Sequence, residues 1–222
     1  MKDLIKKILK EETEEVLEIP SLNFFPDRIG GLKNFIQKKN IKRWSLGDDL
    51  DLRLEDDLTW LEGLVSISGF LDLEGKTIGS LDNLQSVGGY LDLRNTPIKF
   101  LDNLQSVGRF LQLKGTEIES LPKLQSVGGG LDLRKTQIKD LGNLQYVGGS
   151  LDLEGTKIKS LPNLQSVGAY LDLRKTQIKS IPKLQSVDTN LWLNKYVLKD
   201  YTDEEIRGMI NVGGDIIRPL KT

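Results

Sequence analysis

From residue 66 onward the chain repeats one arrangement of apolar and polar positions every 20 residues. Residues 86–93, Ser-Val-Gly-Gly-Tyr-Leu-Asp-Leu, return in nearly the same form at 126, 146 and 166, with looser copies at 66, 106 and 186. Self-similarity at a fixed period of this size is typical of repeat proteins, in which each copy is one turn of a stacked coil. With a degenerate earlier copy that starts near Leu50, the sequence predicts about eight coils.

Each copy contains a stretch in which polar and apolar residues alternate, as in residues 90–94, Tyr-Leu-Asp-Leu-Arg. Alternation at period 2 is typical of a strand with one buried face, so we expect Leu91 and Leu93 to point inward. The other half of the copy, such as residues 160–167, is short and interrupted by proline. It therefore predicts a 3₁₀ or irregular return segment rather than a long helix.

The pattern Leu-x-Leu-x-x-Thr-x-Ile, as in residues 151–158, resembles the leucine-rich-repeat signature. Threonine stands where that family usually carries Asn or Cys, at Thr96, Thr116, Thr136, Thr156 and Thr176. The resemblance covers residues 45–199 and implies an α/β solenoid with one parallel β-sheet along one face. The Gly-Gly-x-Leu-Asp-Leu repeats are also similar to those of uncharacterised bacterial and tailed-phage proteins, which implies a factor that acts on a host protein or a virion-associated component.

The two ends of the chain depart from the repeat and predict helical caps, at 1–44 and at 200–222. The first cap is expected to hold a charged helix that runs to about Glu18 and a second, lysine-rich helix after Pro26, which is also a candidate for docking onto an acidic partner. Their inward residues are expected to be Leu4, Ile5, Ile8 and Leu9, then Ile29, Leu32, Phe35 and Ile36. In the second cap, Thr202 and Glu205 form a capping box, and the helix is expected to stop at Gly213-Gly214.

The amino-acid composition lacks several of the side chains on which enzyme catalysis most often depends. The chain has no Cys and no His, which excludes disulfides, thiolate nucleophiles, histidine acid–base catalysis and the usual zinc ligands. The carboxylates along the repeats are equivalent, whereas a glycosidase needs an acid and a base in different environments. Calcium binding by these carboxylates is a weaker alternative. We therefore expect a protein that is not an enzyme and uses no cofactor.

The sequence offers neither a membrane span nor a secretory signal. No window approaches 18 uninterrupted apolar residues, and the opening residues 1–7 are charged throughout rather than basic and then apolar. The absence of cysteine fits a reducing compartment. We expect a cytoplasmic protein that does not enter a membrane.

Stacking turns each outward position into a column of side chains about 4.8 Å apart. One column is aromatic, one is acidic and one alternates in sign. The expected binding residues are the aromatic anchors Phe70, Tyr90, Phe110, Tyr170 and Trp192, together with Asp92, Arg94, Lys114, Asp132, Arg134, Asp152, Asp172 and Arg174. Gly130 and Ser150 interrupt the aromatic column and predict a depression between Phe110 and Tyr170. The alternative for the acidic column is a solvated face whose repulsion the neighbouring arginines relieve.

Charge is distributed unevenly along the repeats. Residues 45–129 carry 7 Lys and Arg against 14 Asp and Glu, whereas residues 130–199 carry 11 against 6. A partner of opposite polarity would be steered into one orientation, so we expect protein binding through the sheet face. The alternatives are a rigid structural spacer, head-to-tail self-association, and nucleic-acid binding by the basic later coils. The sequence pI of about 5.7 argues against nucleic acid.

Overall fold

The computed structural model describes residues 16–219, which form a parallel β-solenoid. The chain winds through about seven regular stacked turns and crosses two sheets in each. Each strand of a regular turn pairs with the strand 20 residues later, so that Leu131 lies beside Leu151 and Asp132 beside Asp152. The predicted stacked coil is confirmed. The earlier turn at Leu50 pairs with Leu71, after an insertion of one residue.

The strands alternate between the two sheets in chain order. Sheet 1 contains β1 (Leu17–Ile19), β2 (Trp44–Leu46), β4 (Leu64–Ile67), β6 (Ser86–Val87), β8 (Ser106–Val107), β10 (Ser126–Val127), β12 (Tyr146–Val147), β14 (Ser166–Val167), β16 (Ser186–Val187) and β18 (Asn211–Val212). Sheet 2 contains β3 (Leu50–Asp51), β5 (Leu71–Asp72), β7 (Leu91–Asp92), β9 (Leu111–Gln112), β11 (Leu131–Asp132), β13 (Leu151–Asp152), β15 (Leu171–Asp172), β17 (Leu191–Trp192) and β19 (Ile216–Ile217). The helices are α1 (Arg28–Lys39) and α2 (Asp203–Met209), with 3₁₀ helices at Leu22–Phe24 and Thr59–Gly63.

The expectation of a single sheet on one face is wrong, because the Ser-Val pair of each copy forms a second strand. A three-residue corner separates the two strands of a turn, and in most turns it begins with glycine. A Cβ atom on Gly108 would overlap the carbonyl oxygen of Gly88 in the preceding turn, and one on Gly128 would overlap that of Gly108. Glycine at these positions therefore allows the close approach of successive corners, although Ser68 and Asp188 hold the same position in two other turns.

The core is a set of aliphatic columns between the two sheets and the return segments. Leu91 and Leu93 are fully buried, as predicted. Thr96 is buried beside them, and its hydroxyl donates to the carbonyl oxygen of Leu93 at 2.8 Å. The same bond recurs at Thr116, Thr136, Thr156 and Thr176. In these five turns the threonine hydroxyl thus gives a buried carbonyl a second donor, beside the backbone N–H of the same threonine.

The return segments of the regular turns contain no helix within the described residues, which agrees with the predicted irregular structure. Asparagine side chains join these segments across turns. For example, Asn103 Nδ2 donates to the carbonyl oxygen of Asp82 at 2.6 Å.

The ends of the solenoid combine helices with strands. Strand β1 forms at Leu17–Ile19, so the prediction of a helix up to Glu18 is wrong at its end, and its remainder, residues 1–15, lies outside the described residues. Helix α1 buries Leu32 and Ile36, and α2 has the predicted capping box. However, α2 ends before Gly213, and β18 and β19 then add to both sheets.

Within residues 16–219, the search for a helix of sufficient length and hydropathy to span a bilayer found none.

Candidate functional site

From Asp72 onward the aspartates of sheet 2 are buried or partly buried, whereas Asp51 in the first turn is exposed. Asp92 is 5% exposed and Asp172 is 1% exposed. The Oδ1 atom of each accepts the backbone N–H two residues later, from Arg94 at 3.0 Å and from Arg174 at 2.9 Å. Asp72 and Asp152 are buried in the same way, and Asp132 is partly buried. The interpretation of the column as a solvated face is therefore wrong, because these carboxylates hold the turn that ends each strand.

The arginines of this face neutralise the aspartates and join neighbouring turns. Arg134 contacts Asp132 Oδ2 at 2.7 Å in its own turn and Asp152 Oδ2 at 3.2 Å in the next. Arg53, Arg94 and Arg174 also contact carboxylates of two turns. The expected relief of repulsion is present, as charge-assisted hydrogen bonds within each turn and as ion pairs between neighbouring turns. The charges of these arginines are therefore already paired within the chain, although their side chains remain partly exposed.

The turn that carries Phe110 lacks this arrangement. Gln112 occupies the aspartate position and Lys114 the position of the bridging arginines, while Arg109 stands where the turns on either side have glycine. Within residues 16–219, the side chains of Arg109, Gln112 and Lys114 form no ion pair or hydrogen bond. Phe110 is 52% exposed, whereas the other four aromatic anchors are half-buried. The middle of the sheet 2 face therefore presents an exposed ring among uncommitted polar groups.

The other aromatic anchors form two clusters, one on each side of Phe110. Phe70 and Tyr90 stack with ring centroids 4.6 Å apart, and Tyr170 meets Trp192 edge-on at 4.9 Å. Burial raises the pKa of the Tyr90 and Tyr170 hydroxyls, with a further contribution from neighbouring aspartates. Both hydroxyls therefore stay protonated at neutral pH and are available as hydrogen-bond donors.

The predicted depression at Gly130 and Ser150 is filled from both sides. A Cβ atom on Gly130 would lie 3.3 Å from Cδ1 of Phe110, so the Phe110 ring lies against this glycine. From the other side, Tyr170 lies close to the Ser150 side chain. The two flanking rings thus pack against the gap at Gly130 and Ser150. A shallow surface remains there rather than a deep pocket.

The structure places all thirteen residues predicted for binding along the outer side of sheet 2, but with different exposure. The aromatic rings and the arginines reach the surface, while Asp92, Asp152 and Asp172 lie under them. Sequence reasoning missed Arg109 and Gln112. The signal that identifies them is their departure from the repeat in the same turn as Phe110 and Lys114.

Among residues 16–219, no group of three or more carboxylate, Cys or His side chains is placed to hold a metal ion. Comparison with known proteins found no matching family model, no matching curated protein and no matching solved structure.

Proposed function

We propose that this chain is a protein-binding module of leucine-rich-repeat type, without enzymatic activity, which contacts a partner protein through the outer face of sheet 2. The centre of the contact is the turn that carries Arg109, Phe110, Gln112 and Lys114. The observation that carries the proposal is the exposed Phe110 ring among side chains that have no partner within residues 16–219.

Two physical arguments support this centre. Aromatic and arginine side chains dominate the energy of protein interfaces when they become fully buried there. Arg109 and Lys114 have no ion pair among the described residues that binding would break, unlike Arg94 and Arg134. The complementary surface on the partner would be a recess that takes the Phe110 ring, with carboxylates positioned for Arg109 and Lys114.

In this proposal α1 and α2 act as caps, and the protein works in the cytoplasm, as a phage or bacterial factor acting on a host protein. The role of α1 as a cap is supported by its ties to the first turns. Lys33 in this helix pairs with Glu55 at 3.4 Å and with Asp57 at 3.3 Å. Lys33 belongs to the lysine-rich helix that the sequence offers for docking onto an acidic partner, and these ion pairs bind it within the chain instead.

The proposal is tested by returning the Phe110 turn to the sequence of its neighbours. The variant carries Arg109→Gly, Phe110→Ser, Gln112→Asp and Lys114→Arg, each of which introduces a residue that other turns already hold at that position. The fold is therefore retained while the distinctive surface is lost. We expect proteins captured by the wild type, identified by mass spectrometry, to be lost with this variant.

The matched control is Tyr146→Ser, which makes the equivalent return to the repeat on sheet 1. It is expected to retain the captured proteins. Identical capture by the wild type and the four-residue variant would show that the face assignment is wrong.

A second candidate function is a rigid spacer or assembly component, favoured by the arginines that join successive turns. Deleting residues 106–125 and deleting residues 146–165 remove the same length of solenoid. A spacer responds to the two deletions alike, whereas a binding module centred on Phe110 loses its partner only with the first.

A further inference from the structure

A groove of about 1010 Å³ opens at the end of the solenoid that follows the last regular turn. One wall is the return segment of that turn, with Ile181 and Pro182, and the other is the chain that leads into α2, with Tyr196, Tyr201 and Met209. Tyr201 is 46% exposed and Met209 is 49% exposed. Among residues 16–219, these apolar and aromatic groups therefore remain open to solvent.

The groove lies where the return segment of one more turn would stack. Leu161 and Leu164 are 1% and 0% exposed, because the next return segment lies beside them with Ile181 and Leu184 at the same positions. Ile181 and Leu184 are themselves 7% and 5% exposed, and they line the groove. After Asn194 the chain leaves the repeat and turns into α2, so part of this wall has no return segment over it.

The apolar pattern of this wall defines what can stack on it. Ile181 and Leu184 are three residues apart, as are Leu161 and Leu164 in the preceding turn. The return segments of the regular turns contain no helix within the described residues, so irregular extended chain presents this spacing. A segment that continues the stack therefore carries two aliphatic side chains three residues apart in an extended conformation.

The charges that line the groove are mainly positive. Lys179, Lys195 and Lys199 stand against one carboxylate, Asp200. Lys199 reaches Asp200 at 3.8 Å, and Lys195 lies over the ring of Tyr196 at 5.2 Å. Within residues 16–219, the side chain of Lys179 forms no ion pair or hydrogen bond. An acidic occupant is therefore favoured.

The charges beyond the groove do not reverse this balance. The first turn of α2 carries three carboxylates at residues 203–205, of which none lines the groove, and Asp203 is paired with Arg218 at 2.9 Å. The two return segments nearest the groove, residues 155–165 and 175–185, carry five lysines and no carboxylate. The return side of this end is thus basic as a whole.

The chain itself contains the contact that an acidic occupant would make. Glu119 in one return segment pairs with Lys139, at the same position of the next turn, at 2.6 Å. Lys179 stands two turns further along the same column. Glu119 also lies two residues before Leu121, the first of the two aliphatic residues in its return segment. A carboxylate at this position of a further segment would meet Lys179 in the same way.

We propose that this groove binds an acidic segment of a partner protein in an irregular extended conformation. The segment has two aliphatic side chains three residues apart, which stack on Ile181 and Leu184. A carboxylate two residues before the first of them pairs with Lys179. The wall with Tyr201 and Met209 covers the other side of the bound segment. The inference does not depend on the sheet 2 face, because that face and the groove have no residue in common.

Fluorescence anisotropy of labelled peptides with the full chain tests this proposal. The acidic probe is a peptide of residues 155–166 that carries Lys157→Glu and Lys159→Glu, since another return segment of the chain already holds glutamate at both positions. We expect this probe to bind. The unchanged peptide is expected to bind at least about tenfold more weakly, because its lysines meet the lysines of the groove. The acidic probe with Leu161→Ser and Leu164→Ser is expected to lose at least about tenfold as well.

Two matched pairs of substitutions in the chain locate the site. Lys179→Glu is expected to weaken the acidic probe by about five- to tenfold and to strengthen the unchanged peptide, whose lysine it then faces. Lys135→Glu makes the same charge change on an exposed side chain outside the groove and is expected to alter neither peptide. Tyr201→Ala is expected to weaken the acidic probe, whereas Tyr146→Ala, with the same 46% exposure on sheet 1, is not.

An acidic probe that does not bind overturns the proposal, and so does equal affinity for the acidic and the unchanged peptides. Equal losses with Lys179→Glu and Lys135→Glu would show that the probe binds elsewhere. A single-stranded DNA of about 12 nucleotides that binds more tightly than the acidic probe, and depends on Tyr201, would assign the groove to nucleic acid instead. Self-association of the chain in sedimentation velocity that Tyr201→Ala abolishes would assign it to a second copy.

Discussion

Replacing Asp172 and Asp152 by asparagine is expected to have different effects, although the two residues occupy the same position in neighbouring turns. Asparagine keeps an Oδ1 acceptor for the backbone N–H of the strand-ending turn and removes only the charge. Asp172 is 1% exposed and contacts Arg174 Nη2 at 2.5 Å and Nε at 3.0 Å. Because the Arg174 side chain is 47% exposed, water screens part of this pair. We expect Asp172→Asn to lower the free energy of unfolding by about 1 to 2 kcal/mol.

Asp152 has a weaker partner and a larger penalty for its charge. Its own turn carries Glu154 instead of arginine, so its cation is Arg134 of the preceding turn, with Nε at 3.2 Å. Burial raises the pKa of Asp152, and the arginine only partly offsets this effect. Asp152→Asn is therefore expected to leave the free energy of unfolding within about 0.5 kcal/mol of the wild type, or to raise it.

Urea denaturation and thermal melts at neutral pH measure both variants. Asp172→Asn is expected to lower Tm by about 2 to 8 °C, and Asp152→Asn is not. Equal losses would refute the reasoning, because they would mean that the arginine geometry does not decide the stability of each turn.

The pH dependence of Asp152→Asn provides a separate check. Because the pKa of Asp152 is higher in the folded protein than its ordinary value of about 3.9, the protonated carboxyl favours folding. Its contribution is complete below that ordinary value and is lost as the pH rises through the folded-state pKa. The stability of the variant relative to the wild type should therefore increase from acid to neutral pH.

Two further substitutions test the stacking of the turns, each by the urea midpoint. Gly108→Ala is expected to lower the free energy of unfolding by more than about 2 kcal/mol, because its Cβ overlaps the carbonyl oxygen of Gly88. Gly79→Ala, with no atom within 4 Å of its Cβ, should be nearly neutral. Similar effects at the two sites would contradict the steric reason. Thr136→Val removes the hydroxyl that donates to the carbonyl oxygen of Leu133 at 2.6 Å. It is expected to lower the free energy of unfolding by about 1 to 3 kcal/mol. An unchanged urea midpoint would show that the buried carbonyl needs no such donor.

The repeat in the sequence was sufficient to predict the solenoid, because a strict period can bury its apolar residues only by stacking. Alternation also gave the direction of Leu91 and Leu93 correctly. The second sheet was missed because its Ser-Val strands are followed by glycine in most copies and show no alternation, whereas the equally short strands of sheet 2 lie within alternating stretches such as residues 90–94. The capping box at Thr202 was predictable since both of its bonds are local.

The candidate site was less predictable, because alternation tells which way a side chain points but not what lies over it. Asp92 was correctly placed on the outer side of its strand, yet Arg94 covers it in the structure. The arginine that joins two turns depends on the register between strands 20 residues apart. No local pattern contains that register, so the burial of the acidic column could not be predicted from one copy of the repeat.

In a solenoid, a side chain that recurs in every turn has the next turn as its neighbour, so a recurring position is explained by stacking. Thr136, Gly108 and Asp172 each follow this rule. The last turn of the aspartate column departs from the repeat and yet still contacts the preceding turn. Trp192 replaces the aspartate there and receives Arg174 over its ring at 5.2 Å, so a cation–π contact takes the place of an ion pair. The departures around Phe110 have no such contact in the described residues. Stacking among the described residues does not account for them, and this is the reason for proposing that they contact a partner.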